Sequence, residues 1–454
     1  MSLLSRRLSC ALVYYLGIYL SMLSDTSFRQ IRCHPDVSEG IDSNVMSIPK
    51  RIAISARFNC RPLMYSLPVR RLKEILNHIM PGSTLVSAEE LPSTQLPRLY
   101  ILTMSDAQKL ILSFAPNQST RLLRHESNML SAEAALVSFI AGTAQALEPG
   151  STLQTSSTHP PRSPELFDLV PKMLKHSSSN KELAYPYSIF EAITGTPLSA
   201  LSIYLSLSER RLVDKQVGSM ARRLASLTSP SGLFGPVRKV LPDPFTAASS
   251  SAAKKGSTTW SQAFHALLEG ILRDGEDMSV LLPYEVIRAY YQQHSWCLDA
   301  VNVPRLVVLD AGSETNVMIE RGSADGKSTP SRYPRLRGLR SWSQGVFGDP
   351  LISSCFEDAS EGFWQGWGEG FTEVIEDTEN TETRLLLYKC FRAVVTVVTE
   401  YYRPRPDSSR KELEGRRILT SALAELDKRE GALKRVRSSS TVEGSSKRLK
   451  AEGI

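Results

Sequence analysis

The stretch "VVLDAGSETNVMIERG", Val307 to Gly322, decides how this chain is read. A short apolar run bounded by turn residues predicts a buried strand. The run opens into a polar loop that holds one acid, Asp310, and one amide, Asn316, and then closes into a second apolar run, Val317 to Ile319. An acid and an amide six positions apart between two strands either do chemistry or cap the loop through their own side chains.

Downstream, "RLRGLRSWSQGVFGDPLISSCF" reads as a strand carrying Trp342 and ending in the turn Gly348-Asp349-Pro350. Upstream, "LPRLYILTMSDAQKLILSFAP" predicts a hairpin: an apolar strand, a Ser-Asp-Ala turn and a second strand, Lys109 to Phe114. "TRLLRHESNMLSAEAALVSFIA" predicts an amphipathic helix with Glu126 and Glu133 near one face. Ahead of the hairpin, Leu72, Ile75, Leu76 and Ile79 share one helical face, with His78 at its border.

Residues 143–183, rich in Ser, Thr and Pro, predict a long surface loop, and residues 247–257 a linker. Between them "AYPYSIFEAITGTPLSAL" is a strand ending in a Gly-Thr-Pro turn. A helix with Val213, Val217, Met220 and Leu224 inward follows it. Thr259 and Gln262 form a capping box for a helix burying Phe264, Leu267, Leu268 and Ile271. "RLLLYKCFRAVVTVVTEYY" is helical, and a Ser409 to Glu412 capping box opens a last helix with Leu419, Leu423, Leu426 and Leu433.

At 454 residues the chain exceeds what one core usually fills, so two packed lobes plus tails are expected. Hydrophobic residues at 41% and charged residues at 22% exclude a disordered or fibrous chain. The net charge of +7 is concentrated in the tail from Arg429 to Lys450, so no specific nucleic-acid site is expected. Cys10, Cys33, Cys60, Cys297, Cys355 and Cys390 lie too far apart for metal or redox pairs and read as reduced thiols. No histidine pair has metal-ligand spacing.

Arg6 and Arg7 precede an uncharged run of 16 residues, Leu8 to Leu23, which fits an interfacial or anchoring helix as well as a buried one. At the other end, Lys434, Arg435 and Arg437 are separated by a serine-rich spacer from Lys447, Arg448 and Lys450. That pattern fits a nuclear address or a solvated tail. The expected location is cytoplasmic, with membrane contact through Leu8–Leu23 and nuclear import through the tail as competing additions.

The order of hairpin, Glu-bearing helix, connecting strand, helices and two acid-and-amide strand loops resembles the aminoglycoside phosphotransferase and choline kinase family, in a form like its fungal members. The resemblance spans about residues 85–400. In that family a loop of pattern H-G-D-x-x-x-x-N precedes a strand ending I-D-W and then G-D-P. This chain offers "VLDAGSETN", "LRSW" and "FGDP" in the same order.

The resemblance implies an α+β, two-lobed protein-kinase-like fold. Residues 1–50 would be a hydrophobic segment and linker, 51–190 a small strand-rich N-lobe, 191–405 a larger helical C-lobe, and 406–454 a helix and basic disordered tail. It implies ATP and Mg2+, a nucleotide and a small hydroxylated acceptor. Asp310 stands at the catalytic base, with Val308 where the loop His would be. Asn316 and Ser341 stand at the metal positions. Ser113, Glu133, Glu191 and Ile193 stand at the nucleotide positions, the last two on the linker between lobes.

Ser341 and Ser113 depart from the pattern, replacing the metal-binding Asp and the phosphate-holding Lys. Lys109 lies four residues earlier on the strand, about 13 Å away. Glu133 then has no lysine partner, with Glu126 as the alternative acid. Catalysis of this kind is mostly electrostatic, and one lost donor costs about 10²–10³ in rate. Two functions are therefore expected in competition: an ATP-dependent O-phosphotransferase weakened by these losses, unless Glu314 or Asp349 moves in, and a pseudokinase binding module.

Overall fold

The computed structural model describes residues 67–91, 96–117, 119–146, 166–242, 256–321 and 333–442. The Leu8–Leu23 run, the linker after it, the 247–255 linker and the distal basic cluster lie outside the described residues, as do Cys10, Cys33 and Cys60.

The first lobe is a five-stranded antiparallel sheet with its own core. Its strands are β1 (Leu85–Leu91), β2 (Arg98–Met104), β3 (Lys109–Phe114), β4 (Met173–Ser177) and β5 (Tyr187–Glu191), in spatial order β1-β2-β3-β5-β4. The β2–β3 turn forms as expected: Ala107 takes φ of 63° and the Asp106 carboxylate accepts from the Gln108 N–H at 3.0 Å. Tyr100, Leu102, Leu110, Leu112 and Ile189 bury one face, against Leu72 and Leu76 of helix α1 (Val69–Ile79).

Two of these strands are not legible in the sequence. β1 carries no clear strand pattern, and β4 falls inside the stretch expected to be a loop. Both lie at the sheet's edges, where half the side chains face water and the apolar alternation fades.

Helix α2 (Met129–Ala146) connects β3 to β4 and is shorter at its start than the sequence suggests. Asn128 adopts φ of 66° and interrupts the pattern, so Glu126 sits in a separate 3₁₀ turn, Arg124–Glu126, and does not share a helical face with Glu133. The buried side of α2, with Leu136, Val137 and Ile140, packs into the larger core.

That larger core is built by α3 (Leu207–Ser226), α4 (Trp260–Asp277), α5 (Tyr284–Asp299), α6 (Glu361–Trp367), α7 (Thr381–Tyr402) and α8 (Ser408–Val442). Ser206 and Glu209 cap α3 reciprocally, and Val213, Val217, Met220 and Leu224 point inward. The Thr259 hydroxyl accepts from the Gln262 N–H at the start of α4. Cys297, Cys355 and Cys390 are buried free thiols. No helix among the described residues is long and apolar enough to cross a membrane.

Two ribbons sit within this helical lobe. After two short strands, β6 (Thr196–Pro197), which pairs with Met318 and Ile319, and β7 (Gly235–Pro236), which pairs with Val346 and Phe347, β8 (Arg305–Val308) leads through the Asp310 loop to β9 (Val317–Glu320); β10 (Arg335–Leu339) leads through the Trp342 loop to β11 (Gly345–Gly348). Trp342 thus lies between two strands, not in one. β8 pairs with β11, with Val308 opposite Gly345, and β9 pairs with β10, with Val317 opposite Leu339. A bulge at Gly338, φ 141°, lets β10 pass the Leu169 carbonyl, which a Cβ there would meet at 2.1 Å. Each ribbon pairs with the other at both ends, so their two loops face one another. A strand-rich sheet, one connecting helix and a helical lobe holding two interleaved ribbons form an α+β, two-lobed, protein-kinase-like fold.

Candidate active site

The Asp310 loop is fastened from both sides. The Leu309 N–H donates to the Gln344 carbonyl at 3.1 Å and the Ser354 N–H donates to the Leu309 carbonyl at 2.8 Å. Gly312 donates to the Ser354 hydroxyl at 3.0 Å, and a Cβ at Gly312 would meet the Cys355 backbone nitrogen at 2.7 Å. Two turns, Asp310–Ser313 and Ser313–Asn316, absorb the six positions between acid and amide.

Four expected site residues are brought together here: Asp310, Asn316, Ser341 and Glu133. The Asn316 amide is buried and clasps Ser341. Its oxygen accepts from the Ser341 N–H at 2.8 Å, and its nitrogen donates to the Ser341 carbonyl at 3.1 Å and to the Asp310 carbonyl at 3.4 Å. The Ser341 hydroxyl donates to Ser343 at 2.9 Å. Glu133 reaches in from α2 and accepts from the Trp342 N–H at 2.7 Å.

The electrostatics are unusual. Burial pushes the Asp310 carboxyl up to about 7; its own backbone pulls the other way, and the nearby Glu133 adds to the rise. The Asp310 Oδ1 is buried without a hydrogen-bond partner. Burial also raises Glu133, against the pull of Trp342 and Ser341. The Cys355 thiol, pushed up to about 12 by burial, is a neutral wall beside them. No basic side chain among the described residues bonds to Glu133 or Asp310.

The other expected residues have surroundings of their own. Ser113 on β3 is buried and its hydroxyl has no partner. Lys109 is exposed at the start of that strand. Glu191 pairs with Lys172 at 2.9 Å, and its N–H already donates to the Lys172 carbonyl. Ile193 lies beside Gly338 of β10. Val308 is buried in β8.

Three acids weighed as substitutes are held elsewhere. Glu126 receives a bidentate pair from Arg403, both contacts at 2.7 Å, and accepts from the Leu123 N–H at 2.8 Å. Glu314 is ion-paired with Arg210. Asp349 accepts from the Leu351 N–H at 3.1 Å, from buried Arg384 at 2.6 Å and from the Tyr388 hydroxyl at 2.7 Å. The Gly-Asp-Pro turn is therefore a packing device. Sequence reasoning missed Arg384, Tyr388 and Arg403 because a cation's partner across the fold leaves no local pattern.

A magnesium ion needs oxygen donors in near-octahedral array, usually including carboxylates. The donors present do not fit one: both ends of the Asn316 amide are taken by backbone, the Asp position is a serine, and Glu133 faces an N–H. Among the described residues no group of three His, Cys, Asp or Glu could hold a metal.

No known protein family's sequence profile matches the chain, and no curated protein matches it. Solved structures similar to it include a protein assigned as a fructosamine-3-kinase from Haemophilus somnus 129PT, at 13% identity over 77% of this chain and 96% of that one, TM-score 0.47. Another is the GDP complex of wild-type aminoglycoside 2'-phosphotransferase-IIIa, at 13% identity over 79% and 99%, TM-score 0.42. A third is the gentamicin complex of APH(2")-IIa, at 14% identity over 80% and 97%, TM-score 0.42.

Proposed function

We propose that this protein is a kinase-fold binding module that does not carry out metal-dependent phosphoryl transfer. The observation that carries the reading is the Asn316 clasp: the amide that would face a metal instead takes both hydrogen bonds of the Ser341 backbone. Its consequence is electrostatic. Phosphoryl transfer depends on neutralising the charge of the phosphates. A triphosphate beside these loops would meet the carboxyl groups of Asp310, partly buried, and Glu133, buried, and a serine on β3 where the family resemblance places a lysine.

A second reading rests on Asp310 alone. A carboxyl whose pKa lies at about 7 is well placed as a general base at neutral pH. On that reading the chain remains an ATP-dependent phosphotransferase acting on a small hydroxylated molecule.

An ATP turnover assay with and without magnesium separates the two. The module predicts turnover at the buffer background, unchanged in Asp310→Ala. Magnesium-dependent turnover that Asp310→Ala abolishes would establish the enzyme and end the module reading.

A further inference from the structure

The segment that leads from β3 into α2 is tied to the helical lobe by charge. Both terminal nitrogens of Arg403, just past the end of α7, meet the two oxygens of Glu126 at 2.7 Å, and one of them also donates to the Arg121 carbonyl at 2.9 Å. With 17% and 9% of the two side chains exposed, water competes little for this pair. Arg124 donates through its backbone N–H to the buried Asp274 carboxylate of α4 at 2.9 Å, and its guanidinium pairs with Asp274 and, at 2.7 Å, with Asp277.

Apolar packing grips α2 only farther along. Ala135, Leu136, Val137 and Ile140 join the larger core, whereas Met129, Leu130, Ala132 and Ala134 are buried yet join neither core. A hollow with room for about one or two waters lies beside Glu126, Met129 and Ala132. The first turn of α2 therefore depends on the ion pairs for its placement. Glu133, four residues after Met129, stands about 6 Å along the axis from that start.

We propose that Arg403 with Glu126, and Arg124 with Asp274, form a latch that sets where the start of α2 stands and so holds Glu133 on the Trp342 N–H. They are positioning residues, acting on the site through Glu133. Removing one member of a buried pair leaves the other charge uncompensated, so the segment opens locally and Glu133 leaves its donor. The inference holds whether or not the site transfers a phosphoryl group.

The test is amide hydrogen exchange on the full chain, resolved to the Trp342 N–H. Arg403→Met and Glu126→Gln should each speed exchange there by roughly 10- to 100-fold, the worth of a hydrogen bond to a charged acceptor, while amides in the middle of α5 keep their wild-type rates. Glu126→Gln keeps the size of the side chain and serves where Arg403→Met is too unstable to purify. In a Glu133→Ala background Trp342 has already lost its acceptor, so neither substitution should speed its exchange further. The proposal is overturned if Trp342 exchanges at the wild-type rate in these variants, or if its exchange rises only in step with that of α5. It is also overturned if the substitutions speed that exchange as much in the Glu133→Ala background as they do alone.

Discussion

Asp310 and Asp349 both follow buried strands, yet their surroundings set them to opposite tasks. Asp349 is anchored by Arg384 and Tyr388, so Asp349→Ala leaves a buried guanidinium unpaired. It should cost about 3–5 kcal/mol in denaturant unfolding, and a loss below about 1 kcal/mol would show that the pair is unimportant. Asp310 has no such anchor. Its folded pKa of about 7 exceeds the ordinary 3.8, so between those values the native state holds a proton that the unfolded chain has released. Stability attached to this group is full below about pH 4 and falls as pH rises to about 7. Asp310→Asn should therefore match wild type near pH 4 and be more stable by about 1–3 kcal/mol at pH 8. A flat difference between the two proteins across pH would refute the shift.

Among the elements, β11 and α4 show how closely the ribbons are held. Gly348 lies so near Trp260 that a Cβ would sit 2.2 Å from the ring, and the Trp260 indole in turn donates to Tyr388 at 2.8 Å. Gly348→Ala must push β11 off α4, costing about 1–3 kcal/mol or more; an unchanged unfolding midpoint would contradict that packing. The ribbons are legible in sequence because their apolar runs are short, buried on both faces and bounded by turn residues. The edge strands are not, since "LVSAEEL" and "MLKHS" bury only Leu85 and His176 fully. The sequence pattern carries α2 too far at its start because Leu122, Leu123, Met129 and Leu130 continue a helical spacing that Asn128 breaks by backbone conformation alone.

For the molecule as a whole, the candidate site is legible as a set of charges and illegible as a set of bonds. That Ser113 and Ser341 bring no charge follows from residue type. That Asn316 turns to the backbone of Ser341, 25 positions away, follows only from the facing of the two loops, and that Glu133 reaches the Trp342 N–H follows only from the packing of α2 against them. The Asn316 contacts make a hydrogen-bonded seam between the ribbons. On the proposed reading, introducing a cation and an acid with Ser113→Lys and Ser341→Asp together should create magnesium-dependent nucleotide binding where wild type has none. Thermal shift by ATP with and without magnesium checks this, and equal responses in both proteins would argue against a missing-charge explanation. Isothermal titration of magnesium-ATP into the wild-type protein is the most direct measurement. The account predicts no saturable, magnesium-dependent heat; saturable binding that requires magnesium and is lost in Asp310→Ala and Asn316→Ala would contradict it.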